Sequence, residues 1–114
     1  MTILVTGGAG YIGSHVVKQL LKSGHDPIVL DSLECGHRDA VLTKKFYQTD
    51  IRNRAALDEI FKKESIDLVM HFAGYLSVPE SVTDPEKYYE NNVVGTLNLL
   101  SAMRTHGCNK IIFS

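Results

Sequence analysis

The sequence predicts an α/β domain built on a doubly wound parallel sheet, and three observations carry the prediction. Short apolar runs alternate strictly with amphipathic helical patterns along the 114 residues. The first run leads into Thr6-Gly7-Gly8-Ala9-Gly10-Tyr11-Ile12-Gly13, which sets three glycines three apart at a strand-to-helix turn. Residues 68–72 are almost wholly apolar, as a strand is when helices cover both faces of a parallel sheet. Right-handed crossovers between such units give the strand order 3-2-1-4-5, with the winding reversing between strands 1 and 4.

Each element follows from its local pattern. Residues 2–6 are β-branched and apolar and read as the first strand. Residues 11–23 place Ile12, Val16, Val17, Leu20 and Leu21 at helical spacing, and Gly24 is the stop. The second strand covers residues 27–30 and ends in Asp31; a loop over 32–37 and a helical turn over 38–42 follow. Residues 45–49 are the third strand, ending in Asp50. The helix at 54–63 is capped by Asn53 and turns Leu57, Ile60 and Phe61 to one side. After the fourth strand, residues 73–82 form a loop containing Gly74 and Pro79. Asp84 then caps a long helix with Pro85 in its first position, apolar residues at Val93, Val94, Leu97, Leu100 and Met103, and Gly107 as its stop. Residues 110–113 begin a fifth strand. No repeat, low-complexity tract or linker divides the chain, so residues 1–114 are expected to form one domain.

Composition narrows the function classes. Hydrophobic content of 44%, charged content of 22% and a formal net charge of −1 describe a soluble globular protein without a basic footprint for nucleic acid or an anionic membrane. No apolar run approaches the roughly 20 residues that span a bilayer, and the start of the chain lacks the pattern of a secretory signal, so a cytoplasmic location is expected. Cys35 and Cys108 are far apart and are expected to be free thiols. His15, His25, His37, His71 and His106 are scattered without metal-ligand spacing, so no metal site is expected. His71, inside an apolar strand, reads as a hydrogen-bonded core histidine.

The glycine turn carries the clearest chemistry. Gly7 permits a tight exit from the strand, Gly10 lets the backbone approach a pyrophosphate, and Gly13 lets the helix pack closely on the sheet. The helix N-terminus then presents unpaired N–H groups and the positive end of its dipole to an anion. Asp31, about 20 positions further on at the tip of the second strand, is placed to accept from adenosine ribose hydroxyls; its plainer reading is a turn or cap aspartate. Together these features are those of a dinucleotide-binding Rossmann fold.

The string from Thr6 to His15, with Asp31, the run at 36–42, Asp50-Ile51-Arg52-Asn53, His71-Phe72-Ala73-Gly74 and the run at 88–97, resembles the extended short-chain dehydrogenase/reductases and, among them, the UDP-glucose 4-epimerase family. The glycine motif is shared by many nucleotide-sugar epimerases and dehydratases, whereas the strings at 36–42 and 88–97 are more specific to the 4-epimerases. The resemblance covers the whole chain but only the N-terminal third of the family pattern. It implies NAD as cofactor, with Tyr11 and Ile12 at the pyrophosphate and Asp31 at the adenosine ribose. Ser32, Leu33, Glu34, Cys35 and Gly36 would line the same end. Asp50 and Ile51 would flank the adenine, the carboxylate accepting from its exocyclic amine; their plainer readings are a helix cap and a core residue. Phe72, Ala73, Gly74, Tyr75 and Leu76 would pass the nicotinamide side, and Asn91 would line the site from the long helix. Tyr88 and Tyr89 read as packing residues and Asn92 as solvated.

Departures from the family pattern are Leu76 in place of a lysine, Pro79 in place of a glycine before Glu80, and a short segment between Leu42 and Asp50. The family's reaction interconverts UDP-glucose and UDP-galactose by transient oxidation at C4, using a serine and a Tyr-x-x-x-Lys pair. Four residues after Tyr11, Tyr47, Tyr75, Tyr88 and Tyr89 stand His15, Ile51, Pro79, Asn92 and Val93, so none of these tyrosines has the lysine. By the resemblance, the catalytic serine would follow Ser114 and the sugar-binding part is absent. The chain alone is therefore expected to be inactive, and to self-associate through Ile111, Ile112 and Phe113 on an uncovered sheet edge. The complete enzyme would act on a UDP-hexose as a homodimer. A different reading is a non-catalytic NAD-binding module that senses the cofactor or docks to a partner.

Overall fold

A computed structural model describes residues 1–33, 38–41, 43–72, 86 and 90–113. Five parallel strands, β1 (Thr2–Thr6), β2 (Asp26–Asp31), β3 (Phe46–Gln48), β4 (Leu68–His71) and β5 (Ile111–Phe113), form one sheet in the order β3-β2-β1-β4-β5. This is the predicted topology, with β1 at the centre and the reversal between β1 and β4. Helices α1 (Tyr11–Lys22), α2 (Arg54–Lys63) and α3 (Gly95–Thr105) supply the crossovers, along with a 3-10 turn at Arg38–Ala40.

Side-chain alternation on the strands makes two cores. Leu4, Ile28, Leu30 and Val69 point to the face covered by α2 and α3, where they meet Ile51, Leu57, Ile60, Phe61, Leu99 and Met103. Ile3, Val5 and Val29 point the other way, against Val17 of α1, with Leu20, Met70 and Phe72 half-buried around them. Because both faces are apolar, one residue of register slip would still bury hydrophobic side chains. Each fully buried Val, Leu or Ile contributes about 1.5–3 kcal/mol relative to exposure.

α2 has the predicted bounds, and Asn53 caps it by accepting from the Ala56 amide at 3.1 Å. α1 ends one residue before its predicted limit. β3 is shorter than the predicted 45–49, although Val29 N–H still donates to Lys45 O and Thr49 N–H to Asp31 O just outside it. The long helix predicted up to Gly107 is not uniform where it is described: residues Glu90–Val94 form a π-helical turn before α3 begins. Its predicted start at Asp84 and Pro85 lies outside the described residues. At the β5 edge, Ile112 and Phe113 are half-exposed.

Candidate dinucleotide site

The strand register brings three chain segments together at the carboxyl edge of the sheet. Thr6 pairs with Leu30 on one side and His71 on the other, so the next residues, Gly7, Asp31 and Phe72, leave the sheet side by side. Gly7 N–H donates to Leu30 O at 2.8 Å and Phe72 N–H to Thr6 O at 2.9 Å, closing the ends of the ladders.

Gly7 has φ 72°, which turns the chain back over the sheet. Its carbonyl accepts from Gly10 N–H at 3.1 Å. A Cβ on Gly13 would lie 2.2 Å from Gly7 O and 3.0 Å from Gly8 Cα, so Gly13 admits the first turn of α1 against the glycine turn itself. A Cβ on Gly10 would meet only Gly7 O, at 3.3 Å, so that side of the turn is open. Gly8, which the three-residue spacing passes over, is also required: a Cβ there would stand 2.8 and 2.9 Å from the two Val29 methyls. The Gly7-Gly8 doublet was its signal.

α1 starts at this turn with Gly10 as a side-chain-free cap and no acidic residue in its first turn. The N–H groups of the first turn have no partner within the helix, and an anion arriving there meets no carboxylate from α1 itself. Tyr11 is 82% exposed and Ile12 49%, so both predicted contacts stand out from the turn, Tyr11 edge-on to His15.

Asp31 is 8% exposed, and its carboxylate joins two loops. One oxygen accepts from Ala9 N–H at 3.0 Å and the other from Leu33 N–H at 2.7 Å. The second bond is the Asx turn of the plainer reading, and it holds Leu33 at φ 66°, a left-handed conformation unfavourable for a branched side chain. A carboxylate oxygen has a second lone-pair direction, so the same group can still receive ribose hydroxyls. Ser32 is half-buried beside it. The Arg38 guanidinium lies 4.6 Å from the centre of the Phe46 ring.

At the β3 end, Asp50 accepts from Arg52 N–H at 2.8 Å and from the Arg52 guanidinium, which holds its carboxyl below the ordinary aspartate range. Asp50 is therefore not the helix cap; Asn53 is. The Ile51 side chain is 2% exposed and belongs to the α2/α3 core, as in its plainer reading. The carbonyls of Ile51 and Arg52 accept from Asn98 Nδ2 of α3 at 3.4 and 3.0 Å, fixing this corner to the helix.

His71 is the predicted core histidine, 7% exposed with both nitrogens bonded to threonine hydroxyls, and burial pushes its pKa down to about 4. Phe72 is half-buried against the α1-side core. Glu34, Cys35, Gly36, Ala73, Gly74, Tyr75, Leu76, Pro79, Tyr88 and Tyr89 lie outside the described residues, as does the side chain of Asn91, whose backbone is in the π turn. Asn92, read as solvated, is half-buried. Cys108 is free and buried between α3 and β5, and burial raises its pKa, which disfavours the reactive thiolate. Among the described residues, no group of His, Cys, Asp and Glu could hold a metal ion, and no helix is long and apolar enough to cross a membrane.

The chain is similar in sequence and fold to known proteins. The UDP-glucose 4-epimerase of Lacticaseibacillus casei is 55% identical over 115 residues, covering 100% of this chain and 35% of that enzyme. A UDP-glucose 4-epimerase sequence from Klebsiella pneumoniae is 47% identical over 123 residues, and the match covers 88% of it. The crystal structure of UDP-glucose 4-epimerase from Bifidobacterium longum in complex with NAD+ and UDP superposes with a TM-score of 0.96 at 41% identity, over 100% of this chain and 36% of that one. The chain thus spans about a third of the length of most of these relatives and corresponds to their N-terminal portion. With residues 3–114 matching its family pattern, the chain belongs to the NAD dependent epimerase/dehydratase family.

Proposed function

We propose that these 114 residues form one NAD-binding domain of a UDP-glucose 4-epimerase. The observation that carries this reading is the juxtaposition of a carboxylate-free helix N-terminus at the glycine turn with the buried acceptor Asp31. Those groups fit a dinucleotide: the open side of Gly10 and the first-turn amides, with Tyr11 and Ile12, hold the pyrophosphate, and Asp31 takes the adenosine ribose hydroxyls. Ser32, Leu33, Glu34, Cys35 and Gly36 continue that wall, and Asp50 accepts from the adenine amine. Ile51 contributes beside it through its backbone, its side chain being in the core. Phe72, Ala73, Gly74, Tyr75, Leu76 and Asn91 line the nicotinamide side.

NAD, when bound, would supply the hydride acceptor and donor for C4 of the UDP-hexose, so that UDP-glucose and UDP-galactose interconvert. The chain's own residues bind and orient. Proton transfer and sugar binding belong to parts of the relatives that this chain does not span, and the 114 residues alone therefore do not turn over UDP-galactose. The complete enzyme is read as a cytosolic homodimer.

Asp31 also selects the cofactor. A 2′-phosphate would be brought against its carboxylate, and Arg38, the nearest guanidinium in the sequence, is engaged with Phe46. Calorimetric titration of the chain with NAD and NADP should give tighter binding of NAD, by at least about tenfold. NADP binding that is equal or tighter contradicts the assignment of Asp31, and conversion of UDP-galactose by the chain alone contradicts the division of labour.

A further inference from the structure

His71 joins the ends of β1 and β4, which strand pairing holds in register, to α3, which lies outside the ladder. Its Nδ1 is hydrogen-bonded to Oγ1 of Thr6, the last residue of β1, and its Nε2 to Oγ1 of Thr96, in the first turn of α3, at 3.0 Å. Thr6 Oγ1 accepts from Phe72 N–H at 3.1 Å, so the threonine hydroxyl also holds the chain where it leaves β4. A neutral imidazole offers one donor and one acceptor, and each hydroxyl can serve as either, so the chain Phe72–Thr6–His71–Thr96 is satisfied inside the protein.

The position of this chain gives it a use beyond packing. Thr6 adjoins the glycine turn, His71 adjoins Phe72, and Thr96 adjoins the π turn that contains the Asn91 backbone. Apolar contacts between α3 and the sheet are non-directional and tolerate sliding along the helix axis. Asn98, bonded to the Ile51 and Arg52 carbonyls, and Ser101 and Thr105, bonded to Arg54, tie α3 to the α2 side, and the hydrogen bond from Thr96 to a ring fixed in β4 ties its amino end to the sheet. We propose that His71 is a positioning residue for the dinucleotide: through Thr6 and Thr96 it sets the height of the amino end of α3, and with it the π turn, against the glycine turn and Phe72. The proposal rests on the NAD-binding reading above.

The test replaces Thr96→Val, which keeps the branched shape and removes the hydroxyl, and Thr96→Ser, which restores it. His71→Asn, which keeps reach toward Thr6 and gives up Thr96, makes the same cut by a second route should the valine variant fail to fold. Amide hydrogen exchange is followed without ligand, and NAD affinity is then measured on the same samples. Thr96→Val should speed exchange at Phe72 and at residues 91–94 while leaving α2 as in wild type. It should also weaken NAD about five- to tenfold, with Thr96→Ser near wild type. Faster exchange confined to α3, or unchanged NAD affinity with a wild type that binds, overturns the proposal. A wild type that binds no NAD refutes the binding reading instead, and the exchange at Phe72 still decides whether His71 couples these segments.

Discussion

Gly13 and Gly8 show how narrowly single residues constrain the site. A Cβ at Gly13 would press on a backbone carbonyl at 2.2 Å, a clash that no side-chain rotation relieves, so Gly13→Ala should cost more than about 3 kcal/mol and abolish dinucleotide binding. Gly8→Ala meets the Val29 side chain, its methyls most closely, and should cost about 1–3 kcal/mol. Since Val29→Ala removes those methyls, the double variant should be less destabilised than the sum of the singles, as measured by urea unfolding. Titration at His71 is the second test at this scale. The unfolded chain takes up a proton near the ordinary pKa of 6.5, whereas the folded chain waits until about 4. Stability should therefore fall as pH drops from 6.5 to 4, by about 3 kcal/mol from this residue, and this component should flatten below 4. Asp50 and Asp58, both lowered chiefly by hydrogen bonds to Arg52 and His106, add a loss only at pH below the ordinary aspartate value of 3.8. Denaturation at stepped pH, compared with His71→Asn, separates the two windows.

Among the elements, those that matched the sequence reading were the ones with a strong period and a chemical stop. β1 was legible as a β-branched run ending at a glycine, and α2 as an amphipathic repeat behind Asn53. Asn53→Ala should cost about 1 kcal/mol and fray the first turn of α2, visible as lost amide protection at Ala56. The π turn at Glu90–Val94 was not legible, and, Met103 apart, the apolar face read for this helix is not the buried one: Val93, Val94, Leu97 and Leu100 are exposed, whereas Leu99, Ala102 and Met103 are buried. The local bond of Asp31 to Leu33 was legible as the turn aspartate of its plainer reading, but its bond to Ala9 depends on two loops meeting in space. Ile51 was ambiguous for a related reason: an isoleucine after a strand can face a ligand or the core, and only the packing of α2 and α3 decides it.

At the scale of the whole molecule, the fold's consequence is convergence. Parallel strands wound in opposite directions from β1 bring the glycine turn, Asp31 and Phe72 to one edge, although they are distributed over the first 72 residues of the chain. The buried Cys108, which precedes β5, lies away from that convergence, whereas Phe113 at the carboxyl end of β5 pairs with His71, one residue before Phe72. Binding of NAD at this edge is tested most directly by a two-dimensional amide NMR titration of the isotopically labelled chain with NAD. The expected result is saturable shifts at Gly7, Gly10, Tyr11, Ile12, Gly13, Asp31, Leu33 and Phe72, with the amides of Gly107 and Cys108 unmoved. A folded chain whose spectrum does not change with NAD, or whose shifts gather around Cys108 instead, would contradict it.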